Sequence, residues 1–409
     1  MQLPASKSIS NRALIISALA RRESGAAATD DVDNVSDCDD SRVVVRALEQ
    51  CASRRGSDEA PHVVDIMAAG TAMRFLTVYF AVTPGTRILT GTERMRHRPI
   101  AVLVDALRRL GADIEYEGEE GFPPLRIRGR RLEGGALSIP GEVSSQYVSA
   151  LMMAAPVMAE GLTLHLEGNI VSRPYIDMTM SMMRTFGAAV RWDGESTVRI
   201  EPQGYVPVPY VVENDWSAAS YWYELVALAG EELRLPGLRS NSLQGDSRVS
   251  DFFEELGVST EYTAEGVTIR RRETTEHADR PLVLDLVEQP DLAQTLVCTC
   301  AFMGRAFRFT GLQSLKIKET DRIHALRTEL GKMGFDIGEE DGSVLFWDGQ
   351  SRTSRTGGQA AVPIAIDTYD DHRMAMAFAP ACVTYGQITI NNPEVVTKSY
   401  PGYWKQWNA

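Results

Sequence analysis

Two kinds of apolar segment alternate along the chain, and they predict two kinds of helix. In the first kind, apolar residues recur on one helical face, a glycine follows, and alternating apolar and polar residues come next. This pattern predicts a surface helix with a left-handed glycine C-cap, followed by a two-stranded hairpin. Four copies of this pattern have the glycine, at Gly111, Gly187, Gly257 and Gly334. A further copy, VVVRALEQCA, lacks it.

The second kind of segment follows a polar or small turn and is apolar nearly all round, with many Ala and Met residues. Such a composition predicts a buried helix. Taken together, the two kinds predict a β-α-β-α-β-β unit repeated six times, arranged as two domains of three units with a boundary at 205–213. The six predicted buried helices span 8–20, 70–80, 144–155, 216–229, 291–302 and 372–383.

Composition and charge narrow the function classes. Acidic residues outnumber basic ones by 55 to 42, a net charge of −13, which argues against a surface that binds nucleic acid or anionic membrane as a whole. A local basic pocket remains compatible with this total. The five cysteines are few and scattered, so we expect reduced thiols in a cytoplasmic protein.

Candidate chemistry lies at the starts of the predicted helices, where unpaired N–H groups and the helix dipole attract anions. Each motif alone is explained most simply as a helix cap beside a solvated charge. Their joint occurrence at equivalent helix starts predicts a site for anionic ligands. The motifs are SKSISNR at Lys7, AGTAMR at Gly70, ERMRHRPI at Arg98, SSQY at Gln146, KETDR at Glu319, DDHR at Arg373 and TKSYP at Lys398.

In this order, together with VSRPYID, ENDWSAAS and QGD, these motifs resemble the 5-enolpyruvylshikimate-3-phosphate synthase family from Leu3 to Pro401. The resemblance implies an α/β, two-lobed enolpyruvyl-transferase fold (an inside-out α/β barrel), each lobe with three βαβαββ units. Residues 7–212 would form the N-terminal lobe, on the shikimate 3-phosphate side. Residues 1–6 and 213–409 would form the C-terminal lobe, with the active site in the cleft between. Family members carry a further strand before LPASKS, and its loss is expected to weaken the fold.

The implied reaction transfers the enolpyruvyl group of phosphoenolpyruvate to the 5-hydroxyl of shikimate 3-phosphate by addition and elimination. The products are 5-enolpyruvylshikimate 3-phosphate and phosphate, on the route to chorismate and aromatic amino acids. No cofactor and no metal is implied. The site residues carried over by resemblance fall into three groups. Those for catalysis are Asp291 as base, Glu319 as acid, Lys7 and Lys318. Those for shikimate 3-phosphate are Lys7, Ser8, Arg12, Ser144, Ser145, Gln146, Ser172, Tyr175, Asp291, Ser314 and Lys318. Those for phosphoenolpyruvate are Lys7, Gly70, Thr71, Arg98, Gln146, Glu319, Arg322, His372, Arg373 and Lys398.

The chain departs from the family pattern at three positions. Ala68 replaces a usual Asn, which predicts somewhat weaker phosphoenolpyruvate binding because one amide hydrogen bond is lost. Phe75 stands where a Pro is common, and Ser314 stands where some members carry Asn. No catalytic group is lost by these changes.

Three alternatives remain on the same scaffold. A UDP-N-acetylglucosamine enolpyruvyl transferase would carry a reactive cysteine near the arginine cluster, and GTERMRHRPI has none. An RNA-end cyclase would need a nucleotide-accepting histidine, for which His372 in DDHR is the candidate. A non-catalytic anion-binding protein would gain nothing from the two carboxylates Asp291 and Glu319.

Overall fold

The structure is a computed structural model that describes residues 1–22, 28–53, 56–272, 280–350 and 364–407. The chain divides into two compact units. The inserted unit is Ala5–Val212, and the discontinuous unit joins Met1–Pro4 to Glu213–Ala409. Each unit has its own apolar core.

The helices of the inserted unit are α1 (Lys7–Ala20), α2 (Asp39–Ser53), α3 (Gly70–Val82), α4 (Glu93–Arg96), α5 (Ala101–Arg109), α6 (Ser145–Ala154) and α7 (Arg173–Thr185). Its strands are β1 (Val32–Asp33), β2 (His62–Asp65), β3 (Gly85–Thr90), β4 (Asp113–Tyr116), β5 (Leu125–Gly129), β6 (Gly135–Pro140), β7 (Leu162–Glu167), β8 (Val190–Trp192), β9 (Thr197–Ile200) and β10 (Tyr210–Val211).

Two four-stranded sheets of this unit share one topology. Their strand orders are β2-β3-β5-β4 and β6-β7-β9-β8. In each sheet, the first two strands are parallel and the other two form an antiparallel hairpin. The parallel pair β1 and β10 closes the unit.

The helices of the discontinuous unit are α8 (Trp216–Ala229), α9 (Val249–Glu254), α10 (Ala293–Met303), α11 (Arg322–Lys332), α12 (His372–Phe378), α13 (Cys382–Tyr385) and α14 (Tyr403–Trp407). Its strands are β11 (Leu233–Pro236), β12 (Val258–Tyr262), β13 (Gly266–Arg271), β14 (Leu282–Asp285), β15 (Phe307–Thr310), β16 (Gly338–Glu340), β17 (Val344–Trp347), β18 (Ile364–Ile366) and β19 (Ile388–Ile390). The unit repeats the same sheet topology once in full, as β14-β15-β17-β16, and it also has the smaller sheets β11-β13-β12 and β18-β19.

The first four residues belong to the discontinuous unit through hydrogen bonds to its later segments. The Met1 ammonium donates to the Arg234 carbonyl at 2.8 Å, and the Asp215 amide donates to the Pro4 carbonyl at 2.9 Å. The Tyr400 hydroxyl donates to the Gln2 carbonyl at 2.7 Å. The chain therefore crosses between the units twice.

The predicted buried helices are confirmed, with two local differences. Asp291 lies in a 3-10 turn, Pro290–Leu292, directly before α10. The helix predicted over 372–383 is interrupted after α12 by the 3-10 turn Ala379–Ala381, because Pro380 has no N–H to continue the α-helical ladder. The four glycines predicted as left-handed C-caps have positive φ values of 97°, 84°, 85° and 94°.

Among the described residues, three segments carry all six elements of the predicted repeat in order. They span 62–129, 135–200 and 282–347. In the part of the chain that the structure describes, the remaining copies have fewer elements. The strands β1 and β10, which lie far apart in sequence, pair with each other. None of the helices in the described ranges is long and apolar enough to cross a lipid bilayer.

Side-chain caps fix the starts of several helices. The Asp215 carboxylate accepts from the Ala218 amide at 2.9 Å at the start of α8, and Asp321 accepts from the His324 amide at 3.0 Å at the start of α11. Ser6 and Ser144 cap α1 and α6 in the same way. The polar turn residues in the sequence therefore serve as N-caps.

Candidate active site

One guanidinium in the discontinuous unit joins three carboxylates. Arg322, the first residue of α11, is 1% exposed. Its Nε and Nη2 donate to the two Asp371 oxygens at 2.7 and 3.3 Å. Its Nη1 donates to Asp291 Oδ1 at 3.1 Å, and its Nη2 donates to Glu319 Oε2 at 2.9 Å. The two carboxylates predicted to do the chemistry are thus held by the same cation.

Arg373, the second residue of α12, lies on the other side of Asp291. Its Nη2 donates to Asp291 Oδ2 at 2.9 Å, and its Nη1 donates to the Asp291 carbonyl at 3.1 Å. Asp371 caps α12 by accepting from the Arg373 amide at 2.9 Å. Asp371, which is fully buried, therefore orders both arginines.

Two lysines complete the cluster. Lys318 Nζ lies 3.6 Å from Asp291 Oδ1, and Lys398 Nζ lies 3.1 Å from Glu319 Oε1. Lys318 follows the 3-10 turn Gln313–Ile317, which includes the half-buried Ser314, and Lys398 ends the turn Pro393–Lys398. The cluster around Asp291 and Glu319 therefore contains four basic and three acidic side chains.

These pairings set the charge states. Burial opposes ionisation of Asp291, but Arg373, Lys318 and Arg322 outweigh it and hold the pKa of Asp291 well below its usual range. Burial likewise opposes the charge of Arg322, and the carboxylates of Asp371, Glu319 and Asp291 raise the pKa of Arg322 above its ordinary value. Asp291 is ionised at neutral pH, the state that a base requires.

Asp246 is a fourth acid near the cluster, and the sequence reasoning did not assign it a role. It is 2% exposed, and its carboxylate accepts a hydrogen bond from the Ser217 hydroxyl. Burial and the charge of Asp291 raise the pKa of Asp246 to about 7. The QGD motif contains this residue and was the signal available in the sequence.

The backbone before α12 is strained. Tyr369 and Asp370 both have left-handed φ values, 54° and 55°, which residues other than glycine rarely adopt. Buried His372 follows, with Nδ1 3.7 Å from Asp371 Oδ1. Ser172 has the same kind of backbone, φ 55°, directly before α7. Strain of this kind persists where the surroundings hold it, and it is frequent at functional sites.

In the inserted unit, Arg12 is a buried cation surrounded by hydroxyls and rings. It is 2% exposed. Its Nε donates to Thr179 Oγ1 at 2.7 Å, its Nη2 to Ser149 Oγ at 3.0 Å and its Nη1 to the Ser8 carbonyl at 2.9 Å. Its guanidinium carbon lies 5.8 Å from the centre of the Tyr175 ring.

Within the described part of the chain, no carboxylate forms an ion pair with Arg12. Burial lowers its pKa to about 10, and Tyr175 opposes this shift. A buried cation without a carboxylate partner is costly, so its environment favours an anionic ligand. Lys7, on the same helix, lies 3.9 Å from Asp40 through its Nζ.

A second cluster of the inserted unit lies at the start of α3. This helix begins after Ala69 without a side-chain cap. A Cβ added to Gly70 would lie 2.7 Å from Arg98 Nη1 and 2.8 Å from Arg74 Nη1, so a larger residue there would displace the ends of both side chains. Two guanidinium groups beside an uncapped helix start are suited to an anion.

The start of α6 joins this cluster. Gln146 Nε2 donates to Thr71 Oγ1 at 3.3 Å, and Ser144 Oγ accepts from the Gln146 amide at 3.4 Å. Ser145 is the first residue of the helix. Thus α3 and α6 present polar side chains from adjacent helix starts.

The predicted site residues therefore divide between the units. Those of the inserted unit are Lys7, Ser8, Arg12, Gly70, Thr71, Arg98, Ser144, Ser145, Gln146, Ser172 and Tyr175. Those of the discontinuous unit are Asp291, Ser314, Lys318, Glu319, Arg322, His372, Arg373 and Lys398. The sequence reasoning missed the hydroxyls of Ser149 and Thr179, although each lies four residues after a predicted site residue and so on the same helical face. It also gave no role to Asp371, which the structure places between Arg322 and Arg373.

Buried cations at several helix starts, and two carboxylates held among them, define an enzyme that binds anionic substrates and moves protons. The chain belongs to the EPSP synthase (3-phosphoshikimate 1-carboxyvinyltransferase) family, whose model matches residues 1–407. It is a transferase.

Individual relatives agree with this membership. A 3-phosphoshikimate 1-carboxyvinyltransferase of Bacteroides fragilis (strain YCH46) is 53% identical over 406 residues, 99% of this chain and 93% of that protein. One of Vibrio cholerae serotype O1 (strain M66-2) is 36% identical over 426 residues, 100% of this chain and 95% of that protein. A solved structure of EPSP synthase from Acinetobacter baumannii matches with a TM-score of 0.75 at 22% identity, over 100% of this chain and 94% of that one. The predicted fold class and family are confirmed.

Proposed function

We propose that the protein transfers the enolpyruvyl group of phosphoenolpyruvate to the 5-hydroxyl of shikimate 3-phosphate and releases phosphate. The observation that carries the proposal is the arrangement around Arg322, which donates to Asp291 at 3.1 Å and to Glu319 at 2.9 Å. Addition followed by elimination needs two groups that exchange protons, and two carboxylates on one cation meet this need. The name of the family and of these relatives, 3-phosphoshikimate 1-carboxyvinyltransferase, describes the same transfer.

The cations of the discontinuous unit suit phosphoenolpyruvate. Arg322, Arg373 and Lys398 are each paired with Asp291 or Glu319 in this structure. The phosphate and carboxylate of phosphoenolpyruvate are anions of the same kind, and arginine binds both in a bidentate manner. In our proposal the substrate takes over these cations, and both carboxylates lose part of the positive charge that surrounds them.

The inserted unit supplies the remaining contacts. Arg12, with Ser8 and Tyr175, suits the phosphate of shikimate 3-phosphate because it is buried beside hydroxyls. Arg98, beside the uncapped start of α3 at Gly70, suits phosphoenolpyruvate. We assign the other residues as the family resemblance implies. Those for shikimate 3-phosphate are Lys7, Ser144, Ser145, Gln146, Ser172, Asp291, Ser314 and Lys318, and those for phosphoenolpyruvate are Lys7, Thr71, Gln146, Glu319 and His372.

The proposed chemistry uses Asp291 and Glu319 in opposite directions. In the addition, Asp291 takes the proton of the 5-hydroxyl while the hydroxyl oxygen attacks the phosphate-bearing carbon of phosphoenolpyruvate. Glu319 gives a proton to the methylene carbon. In the elimination, Glu319 takes a proton back from the resulting methyl group as the bond to phosphate breaks, and phosphate leaves with the proton from Asp291. Lys7 and Lys318 stabilise the charges that develop.

The test is phosphate release from phosphoenolpyruvate with two separate acceptors. We expect release with shikimate 3-phosphate and none with UDP-N-acetylglucosamine. Release only with the nucleotide sugar would assign the chain to the other enolpyruvyl transferase reaction. Binding of both substrates without release would support a non-catalytic anion-binding protein instead.

We further propose a cytoplasmic monomer. All five cysteines are free thiols in the structure, as expected of a reducing compartment. Light scattering coupled to size-exclusion chromatography should give a mass near 45.1 kDa. A mass of twice that value would contradict the monomer.

A further inference from the structure

A tyrosine hydroxyl holds the segment that carries Arg98. Tyr147, in the first turn of α6, is 8% exposed, and its hydroxyl donates to the Pro99 carbonyl at 2.7 Å. Pro99 directly follows Arg98 and precedes the N-cap residue of α5, Ile100. The Pro99 carbonyl therefore lies outside the helical ladder, and the phenol provides it with a donor.

The same ring also lies beside the second arginine of the cluster. The Arg74 guanidinium carbon is 5.8 Å from the centre of the Tyr147 ring, and Arg74 Nη1 donates to the Gly70 carbonyl at 2.8 Å. Arg98 Nη1 approaches Gly70 so closely that a Cβ there would lie 2.7 Å from it. Tyr147 thus contacts one arginine with its ring and the segment of the other with its hydroxyl.

Backbone hydrogen bonds hold the same segment on either side of Pro99. The Arg98 amide donates to the Met95 carbonyl at 3.1 Å, and the Ile100 amide donates to the Gly121 carbonyl at 2.9 Å. These bonds fix the path of the main chain. The Tyr147 hydroxyl adds a tether from α6, the helix that also contributes Gln146, so the segment and α6 are held in register.

We propose that Tyr147 is a positioning residue that sets the Arg98 guanidinium beside the start of α3 for an anionic ligand. The proposal rests on the proposed function in taking that ligand to be phosphoenolpyruvate. Tyr147 touches neither substrate. It acts by fixing where the Arg98 segment lies relative to Gly70.

The direct test is Tyr147→Phe, which keeps the ring against Arg74 and removes only the hydroxyl. Loss of one hydrogen bond corresponds to about a fivefold effect on binding. We expect the KM for phosphoenolpyruvate to rise about fivefold, with kcat and the KM for shikimate 3-phosphate within about twofold of wild type. This split is the signature of binding energy lost equally from the bound substrate and from the transition state.

The matched control is Tyr205→Phe. The Tyr205 hydroxyl also donates to a main-chain carbonyl at 2.7 Å, that of Met153 on the same helix. Met153 lies six residues beyond Tyr147, about 9 Å along the helix axis. Tyr205→Phe removes an equivalent hydrogen bond, so we expect a similar fall in melting temperature and unchanged KM values. Equal KM changes in both variants would overturn the proposal in favour of a general effect on stability.

A double-mutant cycle tests whether Tyr147 acts through Arg98. In an Arg98→Ala background, Tyr147→Phe should have no further effect on the KM for phosphoenolpyruvate, because the group that it positions is absent. Independent, multiplying effects of the two substitutions would overturn the proposal. Calorimetric titration with inorganic phosphate gives the same comparison without turnover. If the wild-type protein lacked the proposed activity, weaker phosphate binding by Tyr147→Phe than by Tyr205→Phe would still support the positioning role, and equal binding would overturn it.

Discussion

At the scale of single residues, the charge of Arg322 governs two acids at once. Its Nη1 contacts Asp291 and its Nη2 contacts Glu319, so any ligand that draws this guanidinium away changes both carboxylates together. Carboxylates that share a cation titrate as a pair. Binding of an anionic substrate is therefore coupled to the readiness of the site for proton transfer.

Replacing Asp291 by asparagine tests its proposed role as base. We expect Asp291→Asn to lower kcat by about 10²–10⁴-fold, the range typical of a lost general base. Inorganic phosphate should bind at least as tightly as to wild type, because the neutral amide competes less for Arg373 and Arg322. Turnover measured by phosphate release and binding by calorimetry give the two readouts. Glu288→Gln, three residues earlier, is the control for charge, and turnover of Asp291→Asn within tenfold of wild type would exclude this role.

Glu224 predicts a pH dependence of stability that is separate from catalysis. This residue of α8 is fully buried, and among the described residues neither carboxylate oxygen has a hydrogen-bond partner. Burial raises the pKa of Glu224 well above its usual range. Between its ordinary value of about 4.3 and the raised value, the folded state holds one proton more than the unfolded state, so stability falls by about 1.4 kcal/mol per pH unit as pH rises.

Glu224→Gln removes this titration. Urea unfolding of wild type and variant from pH 5 to pH 8 should give a difference in unfolding free energy that grows in favour of the variant as pH increases. Parallel pH profiles for the two proteins would contradict a raised pKa at this position.

At the scale of elements, the helix starts divide into capped and uncapped ones. Asp215, Asp321 and Asp371 cap α8, α11 and α12 with their carboxylates. The start of α3 has no side-chain cap, and Gly70 leaves room there for two guanidinium groups. The free amides of α3 and the neighbouring arginines form one positive region, which is expected to bind an anion.

Gly70→Ala tests this region. The added Cβ displaces the ends of the flexible Arg98 and Arg74 side chains. We therefore expect the KM for phosphoenolpyruvate to rise about tenfold, which corresponds to a loss of about 1.4 kcal/mol of binding free energy. Thermal stability should be kept, because alanine has the better helix propensity. Gly331→Ala in α11 is the control, since a Cβ there meets nothing within 4 Å. An unchanged KM in Gly70→Ala would contradict anion binding at this helix start.

The elements were predictable where local chemistry decides them. The all-apolar pattern located the buried helices, and Gly111 and Gly257 have the left-handed φ that was expected of C-caps. The pairings within the site depend on contacts between elements distant in sequence, such as that of Arg322 with Asp371, 49 residues apart. The hydrogen bond of Tyr147 could likewise not be predicted from the sequence, because its partner Pro99 is 48 residues away. Which cation meets which carboxylate is a property of the packing and not of the motif.

At the scale of the whole molecule, the sequence of one unit interrupts the sequence of the other. The first and last strands described in the inserted unit pair in parallel through Val32↔Tyr210 and Asp33↔Val211, and the Val212 amide donates to the Asp33 carbonyl at 3.0 Å. The unit has an apolar core of its own. It therefore meets the usual conditions for an independent folding domain.

A fragment of residues 5–212 tests this independence. We expect it to be helical by circular dichroism and to unfold in one cooperative thermal transition, because its core contains no residue of the other unit. A spectrum of a disordered chain would contradict independent folding. Fragment 213–409 is the comparison, and it should be less stable than the same unit with residues 1–4 present, since it lacks the partners of Asp215, Arg234 and Tyr400.

The insertion also imposes an order on synthesis. Met1–Pro4 are synthesised before the inserted unit, yet their partners Asp215, Arg234 and Tyr400 follow only after it. At translation rates of about 5–20 residues per second, synthesis of the inserted unit alone takes roughly ten to forty seconds. Residues 1–4 must stay available for at least that time, while the unit with Arg12 and Arg98 completes its core. Translation that stops after Val212 is expected to leave a folded product with anion sites and without Asp291 or Glu319.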